Sequence, residues 1–242
     1  MRSFIVAIAF LTRIPVPVRL VIGSEDVGRS AKWFPLVGLL LGGMAAVLVV
    51  LLRPVLPVSV VAVLIVTLEA FLTGALHMDG LADTADGLGG GRDREHALSI
   101  MRDHAVGTYG AVALILLIVL KVTSMAALIT RPHWWVYLLL APSLGRWTVL
   151  PLARFFRYAR GGTSAINYMG MGELAWGTAV TAVVCVAVGQ VRGVICWAAV
   201  AILTALFGLY CKKRIGGVTG DTLGANVEIG ESAVLVAGLF LY

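Results

Sequence analysis

Carboxylates with helical spacing lie in one short part of this chain. Residues 77–110 read HMDGLADTADGLGGGRDREHALSIMRDHAVGTYG and contain six of the thirteen acidic residues. Asp79, Asp83 and Asp86 have the spacing i, i+4, i+7, which on a helix places them within roughly a 60° arc. Such carboxylates repel one another unless a cation lies among them, and Mg²⁺ fits, because it binds one or two carboxylates together with substrate phosphates. We expect a Mg²⁺ site at these three aspartates. The alternative is a solvated acidic connection.

Basic residues follow the aspartates. Three consecutive glycines at 89–91 predict a flexible break, and the segment RDREHALSIMRDH after it is amphipathic. Arginine side chains there can pair with phosphate oxygens. The candidates for substrate binding are Arg92, Arg94 and Arg102.

A histidine precedes the first aspartate by two residues. The ordinary pKa of histidine, ~6.5, allows His77 to be a general base near neutral pH. It could equally orient one of the carboxylates, and the sequence leaves both roles open.

A second polar cluster, GGVTGDTLGANVEIGE, occupies residues 216–231. Asp221 and Glu228 are seven residues apart and share a face if the segment is helical. We take them, with His77 and Asp83, as the candidate catalytic residues. Thr219 and Asn226 supply further oxygens for a substrate.

Some charged residues lie inside apolar segments, where burying a charge costs free energy. Arg146 lies inside an apolar run, and an arginine there is by default functional or paired. Glu69 is one candidate partner, and Lys121 is an alternative partner for Glu69. Arg13, in the segment TRIPVP, is a further candidate for substrate binding. The segment ARFFRYARGGTS at 153–164 is either a topology anchor or part of a cradle for an anionic substrate.

The elements that position these residues are membrane helices. The chain has 242 residues, of which 60% are hydrophobic and 13% charged, about half the charge of a typical soluble domain. Crossing a bilayer as a helix takes about 20 predominantly apolar residues. Six segments qualify, the segment near 224–242 is a plausible seventh, and the first twelve residues predict an amphipathic, half-buried helix. We therefore expect an all-α, polytopic membrane bundle that forms a single domain over 1–242. The six segments are Trp33–Leu52, Val55–Leu76, Tyr109–Ile129, Trp134–Leu152, Leu174–Val191 and Val194–Cys211.

Charge predicts the orientation of this bundle. With a cytoplasmic N-terminus, the inside segments 1–32, 77–108, 153–173 and 212–231 carry fourteen Lys and Arg residues, against three outside. That bias follows the positive-inside rule. The basic residues are scattered among loops, which argues against nucleic acid as a partner despite a net charge of +6. The polar residues collect at one face, which favours an enzyme with a soluble, charged substrate over an ion-coupled transporter. Membrane lipid around the bundle is a further expected partner.

These motifs together resemble the cobalamin synthase family, the adenosylcobinamide-GDP ribazoletransferases. The matching blocks are FLTRIPVP, WFPLVGLLLGG, LTGALHMDGLADTADGL, REHALSIMRDHAVGTYG, APSLGRW and GGVTGDTLGANVEIGE, between residues 10 and 231. One departure is Ala105, where the family commonly has an arginine, so we assign position 105 no phosphate-binding role.

The resemblance implies a reaction and a location. The family transfers the adenosylcobinamide phosphate group from adenosylcobinamide-GDP to α-ribazole or its 5′-phosphate and releases GMP, with Mg²⁺, at the cytoplasmic (inner) membrane. The alternative enzyme is a lipid phosphotransferase of the CDP-alcohol type, although its D-x2-D-G-x2-A-R motif is absent. Assembly as a homo-oligomer around the acidic face is a further expectation.

Overall fold

A computed structural model describes residues 2–16, 21–103 and 105–241, and within these ranges the chain is predominantly helical. Pro17, the last residue of TRIPVP, and His104 lie outside the described residues. Short 3-10 turns cover Ala31–Trp33 and Ala165–Tyr168, and a π-helical turn covers Cys185–Gly189. The helices are α1 Arg2–Leu11, α2 Ser24–Ser30, α3 Phe34–Leu52, α4 Val58–Thr73, α5 Leu76–Gly90, α6 Arg94–Ile100, α7 Thr108–Ile129, α8 Trp134–Trp147, α9 Val149–Phe155, α10 Met171–Val184, α11 Gln190–Ile215 and α12 Gly220–Gly238.

The all-α, polytopic class is confirmed. By length and composition, four described helical stretches can cross a membrane: Ser24–Leu52, Thr108–Ile129, Trp134–Phe155 and Met171–Ile215. The bent pair α4 and α5 makes a fifth if it counts as one span. Two predicted spans, Leu174–Val191 and Val194–Cys211, both fall within the 45-residue stretch Met171–Ile215, which the π-helical turn Cys185–Gly189 divides into α10 and α11. The predicted closing span lies in α12, which carries three acidic residues.

Helix α1 is the expected amphipathic N-terminal segment. Its residues Val6, Ala7 and Leu11 are buried, whereas Phe10 is exposed. Its ten residues are too few to cross a bilayer. The helix therefore covers one side of the bundle, where it packs against α2 and α3.

Glycines bring the central helices unusually close together. Helix α12 packs against α5, α7, α8 and α11 and is buried along most of its length. A Cβ on Gly145 of α8 would lie 2.7 Å from Cγ of Glu231 in α12, and Gly230 faces Gly145. A Cβ on Gly38 of α3 would overlap the backbone at Pro142 of α8. Small residues allow this backbone approach between membrane helices.

The acidic segment is a helix rather than a connection. Gly74 and Ala75 adopt the left-handed conformation, with φ of 62° and 57°, and α5 leaves α4 at an angle of 91°. A Cβ on Gly80 would lie 2.8 Å from the carbonyl oxygen of Asp221, so α5 crosses α12 at close range. Aspartate and glycine disfavour helix on their own. Packing against α12 therefore outweighs local propensity over residues 76–90.

Candidate functional site

A cavity of 330 Å³ lies where α5 meets the start of α12. Its polar wall includes His77 and Asp79 from α5 and Asp221 from α12, and its apolar wall includes Phe10 and Phe34. The structure thus brings together three predicted site residues that are up to 144 positions apart in the sequence. A concave site with an apolar wall and a few converging polar groups is typical of small-molecule binding.

Several carboxylates crowd the cavity and its surroundings. Asp83 is half-buried one helical turn beyond Asp79, and the negative charges of Asp79 and Asp221 act on it directly. Arg160 supplies the opposing positive charge. Carboxylates placed this way favour a bound cation, since their mutual repulsion falls when one lies between them.

The donor atoms fit Mg²⁺ if a substrate completes the coordination. Among the described residues, no three His, Cys, Asp or Glu side chains lie close enough to hold a metal ion alone. Mg²⁺ usually takes one or two carboxylates, several waters and substrate phosphate oxygens. Asp79 and Asp83 can provide such a partial set of oxygen ligands. The Mg²⁺ site therefore stays a prediction with a suitable donor set.

Asp86 differs from the other two aspartates of α5. It is buried, and its carboxylate accepts the backbone N–H groups of Gly107 at 2.7 Å and Gly110 at 2.9 Å. Those groups lie at the start of α7, where backbone N–H groups have no partner within the helix. Asp86 therefore caps α7. Its predicted role as a metal ligand is untested, and its observed contacts are structural.

Asp221 is held by two neighbours at the start of α12. Arg160 donates to its Oδ2 atom at 2.6 Å, and the Thr219 hydroxyl donates to the same atom at 3.2 Å. Thr219 also accepts the backbone N–H of Thr222 and so caps α12. Burial raises the pKa of the Asp221 carboxyl above its usual range, and the Arg160 guanidinium opposes that rise. The result is a partly buried carboxyl whose charge depends on Arg160.

Glu228 and Arg146 lie deeper, in a buried ion cluster within the bundle. Lys121 of α7 approaches Glu69 at 3.2 Å, Glu228 at 3.0 Å and Glu231 at 2.5 Å. Arg146 pairs with the other oxygen of Glu231. Lys121 is thus the partner of Glu69, one of the two pairings that the sequence allowed. Glu228, predicted to be catalytic, and Arg146, predicted to bind substrate, both make their observed contacts inside this cluster.

The remaining candidates for substrate binding have different surroundings. Arg94 donates to the carbonyl oxygens of Ile215 at 2.9 Å and Ala159 at 2.8 Å, which fastens α6 to the end of α11. The buried Asn226 donates to the Thr204 hydroxyl at 3.0 Å, and its own side-chain oxygen has no partner among the described residues.

Three exposed arginines complete the predicted set. The side chain of Arg13 lies over Gly74, at the bend between α4 and α5. Arg92 and Arg102 flank α6 and are exposed. Their assignment to substrate binding stays a prediction.

Arg160 is a site residue that the sequence did not single out. It lies in ARFFRYARGGTS, where a topology anchor explains the arginines equally well. The signal that was available is the pair of glycines after it, which allows a turn towards the acidic face. The contact between this segment and Val218, two residues before the start of α12, is formed only in the folded chain.

Comparison with known proteins identifies the family. The family model described as cobalamin-5-phosphate synthase matches residues 3–239. The chain belongs to this family. Among curated relatives, the adenosylcobinamide-GDP ribazoletransferase of Clostridium botulinum is 36% identical, with 100% of this chain and 98% of the relative aligned. Relatives of the same name from Rhizobium meliloti and Klebsiella pneumoniae are each 41% identical, over 96% and 98% of this chain and 93% and 98% of the relatives. No solved structure matches the chain. The resemblance seen in the sequence motifs is thus confirmed over nearly the whole chain.

Proposed function

We propose that this chain is an adenosylcobinamide-GDP ribazoletransferase that depends on Mg²⁺. A ribose hydroxyl of α-ribazole, or of its 5′-phosphate, attacks the phosphorus that stays with the corrinoid. A new P–O bond forms, the P–O bond to the bridging oxygen of the diphosphate breaks, and GMP leaves with that oxygen. The product is adenosylcobalamin or its 5′-phosphate. The observation that carries the proposal is the cavity shared by His77, Asp79 and Asp221 in a member of this family.

The charges around the cavity suit a diphosphate substrate. Catalysis of phosphoryl transfer is largely positioning and neutralisation of charge on the phosphate oxygens. When bound, Mg²⁺ would neutralise the diphosphate, with Asp79 and Asp83 as its protein ligands. Arg160 holds the Asp221 carboxylate in place at 2.6 Å. The apolar wall keeps the reacting atoms away from bulk water.

The attacking hydroxyl must lose a proton, and the geometry favours two acceptors. His77 and Asp221 both line the cavity, so either can reach a hydroxyl bound there. Glu228 accepts a hydrogen bond from Lys121 in the buried cluster and is not among the residues that line the cavity. We therefore assign the proton to His77 or Asp221, ahead of Glu228.

A product assay on the purified full-length protein tests the reaction. The protein in liposomes receives adenosylcobinamide-GDP and α-ribazole 5′-phosphate, with Mg²⁺ or with EDTA, and mass spectrometry follows the joined corrinoid and GMP. We expect both products with Mg²⁺ and neither with EDTA. A folded protein that makes no joined corrinoid would contradict the proposed function, and equal yields with EDTA would contradict the metal dependence alone.

We further infer that the cavity opens to the cytoplasm from the inner membrane. The support is the excess of Lys and Arg in the segments that contain the site residues, fourteen against three, which the positive-inside rule assigns to the cytoplasmic side. A membrane-impermeant thiol reagent should label Arg92→Cys only in inverted vesicles and Arg53→Cys only in right-side-out cells. The reverse pattern would overturn the orientation. Whether the chain forms a homo-oligomer can be measured on the same purified protein.

A further inference from the structure

A second cavity adjoins the cavity that contains the carboxylates. It has a volume of 380 Å³ and is lined by Arg154 and Arg157 together with Tyr158 and Asn167. Met169 lines both cavities, so the cavity of the arginines is a neighbour of the one that contains Asp79 and Asp221. The sequence did not assign a binding role to either of these arginines individually.

The two guanidinium groups lack partners in the described part of the chain. No hydrogen bond or ion pair involves the side chain of Arg154 or Arg157 there, whereas Arg94, Arg160 and Arg214 each donate to carbonyl or carboxylate oxygens. Two unpaired positive charges on one concave surface repel each other and attract an anion. Arginine suits phosphate especially, because its planar fork donates two parallel hydrogen bonds.

The backbone beneath these arginines is firmly held. The N–H of Val218 donates to the carbonyl oxygen of Arg157, and the N–H of Ala159 donates to the carbonyl oxygen of Val218, each at 2.8 Å. A Cβ on Gly217 would overlap the Arg157 carbonyl oxygen, so the two segments are in direct contact. Val218 lies two residues before the start of α12. Arg157 is therefore fixed relative to the end of α12 that carries Asp221, which lowers the entropic cost of binding an anion there.

We propose that Arg154 and Arg157 bind the 5′-phosphate of the acceptor nucleotide. This rests on the proposed function, and it makes the phosphorylated acceptor the preferred one. In the proposed reaction, a cation held by Asp79 and Asp83 binds the diphosphate of the donor. The 5′-phosphate of the acceptor is a separate anion, and the two arginines are available to bind it. The shared Met169 makes the two cavities neighbours, as one acceptor that contacts both sites requires.

Steady-state kinetics with two acceptors tests this assignment. Wild-type protein, Arg157→Met and Arg154→Met are assayed with α-ribazole 5′-phosphate and with α-ribazole, and KM is measured for each acceptor and for the donor. Arg53→Met, an exposed arginine on the opposite side of the predicted topology, is the matched control. Ribose 5-phosphate is tested as a competitor, because it offers the phosphate without the base.

The expected result is a KM increase of about tenfold or more for the phosphorylated acceptor in each variant, since a hydrogen bond to a charged group contributes ~1.5–3 kcal/mol. KM for α-ribazole and for the donor should stay near the wild-type values, and inhibition by ribose 5-phosphate should weaken. Arg157→Lys should lose less than Arg157→Met and replaces it if Arg157→Met does not fold.

Three outcomes would overturn the assignment. Equal KM increases for both acceptors would indicate a general packing effect or binding of a lipid phosphate. An increase only for the donor would place its diphosphate at the arginines. Unchanged KM values would show that the pair is a topology anchor. A wild-type protein that uses neither acceptor would contradict the proposed function instead, so the two failures are distinct.

Discussion

The carboxylate of Asp86 accepts the backbone N–H of Gly110 at 2.9 Å, across 24 residues of sequence. Its other oxygen accepts the N–H of Gly107. Helix α5 is therefore attached to the start of α7, and one of its three aspartates faces a helix end rather than the candidate metal site. Aspartates with a shared helical spacing thus have different contacts in the folded chain.

Loss of the Asp86 cap should destabilise the protein. Asp86→Ala leaves two N–H groups at the start of α7 without their acceptor, and such losses cost about 1–3 kcal/mol each. We expect a lower midpoint of thermal unfolding in detergent. Asp93→Ala removes an exposed cap of α6 and should lower the midpoint less. Equal midpoints for wild type and Asp86→Ala would contradict the capping role.

Loss of the Asp83 charge should abolish turnover without unfolding the chain. Asp83 is only half-buried, and asparagine has nearly the same shape but binds Mg²⁺ more weakly. We expect Asp83→Asn to reduce kcat/KM by at least about a hundredfold, in the range for removal of a charged transition-state contact. The assay is GMP release as a function of Mg²⁺ concentration, and Asp79→Asn should behave alike. Full activity of Asp83→Asn would eliminate the proposed metal site.

Removal of Arg160 should shift the pH dependence of the reaction. Burial raises the pKa of Asp221, and Arg160 opposes that rise. Without Arg160 the pKa rises further, so Asp221 stays protonated to a higher pH. If the ionised form acts as the base, activity is lost as pH falls through that pKa.

The acid limb of kcat/KM against pH should therefore move to higher pH in Arg160→Met. It should move less in Arg160→Lys, which keeps a positive charge. An acid limb that stays in place in Arg160→Met would exclude Asp221 as the group that the profile reports.

Local spacing predicted the helical parts of the site and missed its long-range pairs. Three-residue and four-residue spacing correctly indicated that Asp79 and Asp83 share a helix, because that geometry depends only on the helical repeat. The ion pair of Arg160 with Asp221 links residues 61 apart. It depends on how the segment near Tyr158 meets Val218, and no local pattern encodes that contact.

Hydropathy does not register bends or buried polar partners, so the apolar runs did not show where helices bend inside the bundle. Apolar runs predicted Val55–Leu76 as one complete span, yet the chain turns by 91° next to Gly74. Helix α12 is buried despite its acidic residues because Lys121 and Arg146 neutralise Glu228 and Glu231. A search for apolar runs therefore does not detect a helix that carries charged residues at the centre of a bundle.

The charges of the buried ion cluster predict which of its carboxylates can be replaced by a neutral residue. Three carboxylates, Glu69, Glu228 and Glu231, meet two cations, Lys121 and Arg146. Glu231 contacts both cations, whereas the Oε2 atom of Glu69 lies 3.2 Å from Lys121 and makes no hydrogen bond within the described residues. Replacing Glu69 with a neutral residue therefore leaves two negative and two positive charges in the cluster. Replacing Glu231 removes the carboxylate that pairs with Arg146.

We expect Glu69→Gln to keep the wild-type stability and most of the GMP release. Glu231→Gln and Lys121→Met should lose about 3–5 kcal/mol of stability, the usual cost of breaking a buried ion pair. Thermal unfolding in detergent and the product assay measure both properties on one preparation. A transporter would need an ionisable Glu69 on its ion path. A stably folded Glu69→Gln protein that releases no GMP would show that Glu69 acts in function, and the purely structural role of the cluster would be wrong.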